Sequence, residues 1–228
     1  MKKNTMLLLI LSIALILSAC NYNNPTGDYE AEDEIITEYF LVSDLWIFDS
    51  ISELNFRTTD IVRAEVLNSR VEPINILLRT PSPDENIERF YIIHTVYQLR
   101  VLEVFKGDSA VGDVLEAMQR GGLYGSRRLV YSYQLSMNSG DEFIFFLRSY
   151  EEHGFGHLPR SIVGSYQGVF HTLSSRTTRT NEMYESITEA YFENLLQPNE
   201  TLESVSPHTN LTLTIGDLMQ IRYDSDLE

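Results

Sequence analysis

Alternating apolar and polar positions dominate the middle of the chain and predict a series of strands. The longest lies at 90–105, where Tyr97, Leu99 and Val101 alternate with polar residues. The alternation slips by one position at 101–102, which indicates a β-bulge, because a one-residue slip moves side chains to the opposite face. Shorter strands are predicted at 60–67, 114–119, 142–147 and 166–170.

Toward both ends of this region the apolar positions follow a helical period. Val42, Leu45, Trp46, Asp49 and residues 51–54 allow one or two helical turns near the start, with Ser43 as a candidate N-cap. A helix is predicted at 182–196, and a second one starts at Thr214. The first of these depends on apolar residues spaced by four, namely Met183, Ile187, Tyr191 and Leu195. The pattern therefore predicts a mainly β protein of the α+β kind, with an N-terminal helical turn and C-terminal helices.

The first twenty residues have the pattern of an export signal. Two lysines precede an apolar stretch at 6–17, which is too short to span a bilayer but suits the apolar region of a signal peptide. Residues 17–20 (LSAC) resemble the lipobox of bacterial lipoproteins. The resemblance implies that Cys20 is linked to diacylglycerol and anchors the chain to the extracytoplasmic face of a cell membrane. The alternative is an ordinary secreted protein that is cleaved after Ala19.

Composition and charge exclude some classes of partner and indicate how the chain is divided into segments. With 33 acidic and 17 basic residues among 228, the formal net charge is −16, which argues against a nucleic-acid partner. A single cysteine excludes an internal disulfide and a cysteine-based zinc site. After a signal peptide at 1–19, an acidic run predicts an extended tether at 20–40. The remaining divisions are a β domain at 41–176 and a helical appendage at 177–228.

The order of the β segments resembles a known type of barrel. The segments that carry the resemblance are 60–62 (DIV), 97–108 (YQLRVLEVFKGD), 112–113 (GD), 119–122 (QRGG), 140–147 (GDEFIFFL) and 167–170 (QGVF). Together they are similar to bacterial exported proteins whose OB-type domain resembles that of tissue inhibitors of metalloproteinases and netrin modules. The resemblance implies a five-stranded OB-type Greek-key β-barrel at about 58–172. It does not imply proteinase inhibition, because those inhibitors need a free N-terminal cysteine and Cys20 is expected to be lipidated.

Residues with catalytic chemistry are few and scattered. His94 lies inside the longest predicted strand, which favours a half-buried histidine with its hydrogen bonds satisfied. Glu151, Glu152, His153 and His157 have a spacing that presents metal ligands only on a helix, and the glycines at 154 and 156 favour a solvated loop instead. We therefore expect no catalytic residue, metal or cofactor. The alternative is an envelope hydrolase or metal-dependent enzyme that combines His94, Glu152, His153 and His157.

The connection at 123–138 concentrates arginine and tyrosine in a chain that is poor in bases. Tyr124, Arg127, Arg128 and Tyr131 belong to this cluster, and Arg120 directly precedes it. These residue types dominate the energetics of protein interfaces. The sequence thus predicts a non-catalytic binding module in which the four residues contact an envelope protein or polymer. Two alternatives stay open: the arginines only neutralise nearby acids, or the barrel is a spacer in a larger complex.

Overall fold

A computed structural model describes residues 36–40, 47–76, 91–131, 133–172, 187–192, 196–206 and 209–227. The fold is mainly β with short helices, as the alternation predicts. The strands are β1 Ile36–Phe40, β2 Asp60–Asn75, β3 Tyr91–Lys106, β4 Val114–Arg120, β5 Gly122–Tyr124, β6 Arg127–Tyr131, β7 Glu142–Arg148, β8 Arg160–Ile162, β9 Val169–His171, β10 Thr201–Leu202 and β11 Leu213–Thr214. The helices are α1 Ile51–Phe56, α2 Ile187–Phe192 and α3 Ile215–Ser225, and Glu151–His153 forms a 3₁₀ turn.

The largest sheet closes on itself. The strands β2, β3 and β4 are paired antiparallel in succession, and β4 then pairs in parallel with β8. β8 is antiparallel to β7, and β7 pairs back along β2, so the order around the ring is β2–β3–β4–β8–β7–β2. Ala64 of β2 therefore lies between Val101 of β3 and Phe143 of β7.

Register shifts let the two sixteen-residue strands follow this ring. One shift lies between the pairs of Arg63 and Ala64 and leaves Leu102 of β3 without an opposite residue. The bulge predicted at 101–102 is thus confirmed. Its consequence is that Val101 packs inside the ring while Phe105 packs in the outer cluster. The strand β2 continues beyond its predicted end at 67 and includes Ile74.

Two hydrophobic clusters stabilise the ring from opposite sides. Alternate side chains of all five ring strands meet inside it, including Leu99, Ala117, Phe145 and Ile162. The outward side chains Ile61, Phe105, Ile144 and Phe146 are covered by residues of α1 and α3. Burial of the helices against the strands thus supplies the stability that such short helices lack alone.

Helix α3 begins as predicted. Thr214 is its N-cap, and a capping box with Asp217 satisfies the first backbone N–H groups. Its buried face is formed by Ile215, Leu218 and Ile221. Tyr223, near the end of the helix, is exposed.

The other two helices agree with the sequence only in part. Helix α1 begins at Ser50, whose hydroxyl accepts from the Glu53 N–H, whereas the predicted cap Ser43 lies outside the described residues. The predicted helix at 182–196 is helical at Ile187–Phe192. Its other residues are not described, except Leu196, which is not helical.

Three further strand predictions need correction. β1 lies within the predicted tether at 20–40 and pairs in parallel with β6. The predicted connection at 123–138 contains β6 and most of β5, which form an antiparallel hairpin. The last ring-associated strand begins at Val169 and not at 166, because Gly164 and Ser165 have positive φ and turn the chain.

Two buried glutamine side chains attach irregular segments to the ring. The amide of Gln119 accepts from the Leu135 N–H at 3.1 Å and donates to the Leu135 carbonyl. The amide of Gln167 makes the same two kinds of bond with the backbone of Phe48, at 2.9 and 3.0 Å. Each side chain thus replaces a strand partner for a backbone that would otherwise be buried without hydrogen bonds.

The length and composition of the described helices bear on whether they could cross a membrane. None of them combines the length and apolar composition needed to cross a bilayer. The signal segment and Cys20 lie outside the described residues.

Candidate functional site

A cavity of about 640 Å³ opens on the outer face of β3 and β4. Its walls come from these two strands, from β8 and from the connection between β7 and β8. Five apolar residues line it, namely Ile76, Met118, Phe155, Leu158 and Ile162. A volume in this range with an apolar lining and a few polar groups is typical of small-molecule sites.

The register of β3 and β4 places two polar side chains next to each other in this cavity. His94 is directly opposite Arg120, and Thr95 is opposite Gln119. Because side chains alternate along a strand, His94 and Arg120 share the outer face. Cross-strand neighbours have Cβ atoms about 4.5–5.5 Å apart, so the imidazole and the guanidinium lie in the same part of the cavity wall.

The side chain of His94 is only 3% exposed, so it is more deeply buried than the half-buried state that the sequence predicted. Its Nδ1 lies 2.8 Å from the Ile92 carbonyl, which can only accept, so Nδ1 carries the proton. Burial lowers the pKa of His94, and the charge of Arg120 lowers it further, although the Ile92 bond and Glu72 act in the opposite direction. The ring is therefore neutral at pH 7, and Nε2 is an acceptor that no described residue uses.

Arg120 is exposed at the cavity and forms no ion pair with a described residue. The acids on the same face are engaged elsewhere, because Arg70 binds Glu116 through two bonds of 2.5 and 2.9 Å and Glu72 at 2.9 Å. The hydrogen bond from Arg70 lowers the pKa of Glu116 and keeps it ionised. In the described part of the chain, no aspartate or glutamate lines the cavity.

The far wall of the cavity is held by local backbone geometry. The Tyr150 hydroxyl donates to Ser161 Oγ at 3.0 Å and ties the connection to β8. Ser165 has a φ of 56°, a left-handed conformation that is uncommon for residues other than glycine. Such conformations concentrate at functional sites. The sequence analysis predicted no role for Ser165 or for Tyr150, because neither position belongs to a recognisable local motif.

The structure brings together two of the four residues of the predicted enzyme site. His94 and His153 both line the cavity. His157 instead lines a separate hollow of about 300 Å³ with Arg70 and Pro159, and Glu152 lines neither. Within the described part of the chain, no group of three or more metal-ligating side chains could hold a metal ion. No hydrogen bond among the described residues joins Ser165 to either histidine.

The predicted binding residues of the hairpin are split between its two faces. Tyr124 is opposite Arg127, and Leu123 is opposite Arg128, so the two arginines point to opposite sides. Arg127 binds Glu38 of β1 at 2.9 Å, which agrees with the alternative that it neutralises an acid. Arg128 is exposed and has no such partner among the described residues.

The tyrosines of this cluster also differ in their surroundings. Tyr124 is 51% exposed, whereas Tyr131 is partly buried at the end of β6. Tyr133 packs on Tyr166, with ring centroids 4.6 Å apart, and borders the core inside the ring. The exposed side chains of the two hairpin strands are therefore Leu123, Tyr124, Arg127 and Arg128, of which Arg127 is paired with Glu38.

In comparisons with known proteins, neither a protein-family model nor a curated protein sequence matches this chain. Its function must therefore be argued from the ring, the cavity and the hairpin themselves.

Proposed function

We propose that this chain is a bacterial lipoprotein, anchored through Cys20 on the extracytoplasmic side of a membrane, whose OB-type barrel is a non-catalytic binding module. The observation that carries the binding function is the cavity of about 640 Å³ beside His94 and Arg120. The anchor rests on the lipobox at 17–20. The protein thus holds a ligand or an envelope partner close to the membrane surface.

The strand order supports an OB-type barrel. In a Greek key, three consecutive strands are followed by a fourth that returns over a long connection to lie beside the first. Here β2, β3 and β4 are consecutive, and β7 returns to β2 after a connection that contains the β5–β6 hairpin. With β8 between β4 and β7, the ring has the five strands of an OB-type barrel.

The position of the cavity supports binding at this site. OB-type barrels bind ligands on the face of their second and third strands, next to the loop that joins the fourth and fifth. In this ring those strands are β3 and β4, and that loop is the β7–β8 connection at 149–159. His94, Arg120 and Tyr150 come from these three elements.

A ligand screen with a cavity-filling variant tests this function. In the full chain purified in detergent micelles, a compound that binds the cavity raises the thermal unfolding midpoint, because ligands stabilise the state that binds them. Ser161→Phe fills the cavity and should abolish this rise. Ser69→Phe introduces the same side chain at an exposed position of β2 and should keep it. A library in which no compound distinguishes the two variants would contradict the proposal.

The hairpin is a second candidate surface, for a partner protein or envelope polymer. The specific observation is that Leu123 and Arg128 are exposed on one face of the hairpin and Tyr124 on the other, and that Arg128 has no acid partner among the described residues. A photocrosslinking residue at 123 should capture an envelope partner in living cells. Alanine at Tyr124, Arg127, Arg128 and Tyr131 should reduce that capture, and unchanged capture would exclude this surface.

A further inference from the structure

We propose that the cavity selects a small organic anion with an apolar body, whose anionic group binds Arg120. The proposal rests on the binding function assigned above to the cavity and names the class of ligand. The anionic group is a carboxylate or a phosphate, since a guanidinium presents the same pair of donors to both.

The first argument is the local charge. The whole chain has nearly twice as many acids as bases, yet the described residues that line the cavity include Arg120 and no acid. Other arginines of the ring are used inside the protein: Arg63 binds Glu103, and Arg160 binds Asp60. Arg120 has no such bond among the described residues, and it is exposed in the wall of the cavity.

The second argument is the apolar lining. Ile76, Phe155 and Leu158 line the cavity and are partly exposed, and the buried Met118 also belongs to its wall. These side chains form an apolar surface beside the arginine. A ligand that carries only a charge leaves this surface in contact with water, whereas an apolar body covers it and gains roughly 25 cal/mol per Å².

The third argument is the acceptor at His94. Because Nδ1 donates to Ile92, the neutral ring presents Nε2 as an acceptor at the cavity wall. A hydroxyl or N–H group on the ligand can donate to it. The arrangement therefore favours an anion that also carries a donor, and it disfavours a cation, which would face Arg120.

Matched probes separate charge from apolar contact. We would titrate the full chain in detergent micelles with 3-phenylpropanoate, 3-phenylpropyl phosphate, 3-phenylpropan-1-ol and acetate. Methyl-labelled methionine provides a local readout, because Met118 lines the cavity whereas Met137 and Met219 lie in the inner and outer clusters. The phenylpropyl anions should shift the Met118 signal at lower concentration than the alcohol or acetate. The two anions tell a carboxylate ligand from a phosphate one.

Variants then test the role of Arg120. Arg120→Gln should weaken binding of the preferred anion about tenfold or more, since hydrogen bonds to charged groups contribute about 1.5–3 kcal/mol. Arg100→Gln makes the same change in charge on the outer face of β3, six residues from His94, and should leave affinity unchanged. Near-UV circular dichroism of each variant reports whether it is folded.

Two results would overturn the proposal. One is binding of the alcohol as tight as that of the anions, together with no effect of Arg120→Gln; the cavity would then still be a binding site, but without selection for anions. The other is a Met118 signal that none of the probes moves. The library screen with Ser161→Phe tests the binding function independently of both results.

Discussion

His94 shows how burial makes a single side chain sensitive to pH. Its pKa in the folded chain is below the ordinary value of 6.5, so between these two pKa values the unfolded chain binds a proton that the folded chain does not. The free energy of unfolding should therefore fall as the pH drops below 6.5. His94→Gln should remove this part of the slope in urea unfolding followed between about pH 5 and pH 8.

His153 provides the control for this measurement. It lies in the same cavity but is exposed, and His153→Gln should leave the slope of the parent chain unchanged. Identical slopes in the parent chain and His94→Gln would show that burial of His94 does not affect stability. The lowered pKa of Glu116 changes the free energy of unfolding only below its ordinary value of 4.5, so its effect falls in a different pH range from that of His94.

Glu103 joins the ring to the C-terminal helices. It is 4% exposed and binds Arg63 at 3.3 Å, while its two oxygens accept from the N–H groups of Ile187 and Thr188 at the start of α2. Glu103→Ala leaves a buried guanidinium and two backbone donors without this partner. We expect a loss of about 3–5 kcal/mol in the free energy of unfolding, measured by urea denaturation.

An exposed ion pair on the same strands is the comparison for Glu103. Glu65 and Arg100 are 3.7 Å apart and largely solvated. Glu65→Ala should cost less than about 1 kcal/mol. Equal losses in the two variants would mean that the Glu103 network does not hold the helices to the ring.

At the residue scale, only part of the site was predictable from the sequence. The place of His94 in a long strand indicated burial, but its pairing with Arg120 depends on the register of β3 and β4. The separation of His153 from His157 depends on the glycines of the β7–β8 connection, which turn the chain between them. Contacts between residues distant in the sequence leave no local pattern.

At the scale of the elements, local rules decided which predictions succeeded. β3 and β4 alternate clearly because each has one face inside the ring. The hairpin of β5 and β6 does not, since its strands are short and Leu129 is their one buried apolar side chain in the described structure. The strand β1 lies in an acidic run without a strand pattern, and it is specified by its pairing with β6.

The capping box of α3 is a local signal that can be tested directly. Thr214 Oγ1 accepts from the Asp217 N–H at 3.1 Å, and the Asp217 carboxylate accepts from the Thr214 N–H at 2.8 Å. Thr214→Ala should lower the free energy of unfolding by about 1 kcal/mol, as measured by urea denaturation. Thr212→Ala, two residues earlier and exposed, should have little effect. A neutral Thr214→Ala would show that packing alone positions the helix.

Gly168 tests the close approach of two backbones before β9. A Cβ at this position would lie 2.4 Å from the Val163 carbonyl oxygen, while the Gly168 carbonyl accepts from Phe146 of β7. Gly168→Ala should therefore shift the backbone and cost about 1–3 kcal/mol in urea denaturation. Gly156→Ala meets only the flexible side chain of Glu151 at 3.1 Å and should cost less. The opposite order would contradict the packing argument.

At the scale of the whole molecule, the ring presents two different outer faces. Helices α1 and α3 cover the face that carries Ile144 and Phe146. The face of β3 and β4 carries the cavity, with His94 and Arg120 in its wall. Among the described residues, the helices thus cover one outer face and leave the cavity on the other, an arrangement that suits the proposed binding function.

The last prediction concerns the lipid anchor at Cys20, which determines whether the binding module is attached to a membrane. If LSAC at 17–20 is a lipobox, a fatty acid with an alkyne group supplied to growing bacteria should label the wild-type chain and not Cys20→Ser, because the chain has no other cysteine. The labelled chain should remain with the membranes after washing in high salt, since two or more acyl chains give stable attachment. Asn21→Ala leaves the cysteine in place and should keep the label. An unlabelled wild-type chain recovered in the medium would instead identify a secreted protein cleaved after Ala19, and would detach the binding module from the membrane altogether.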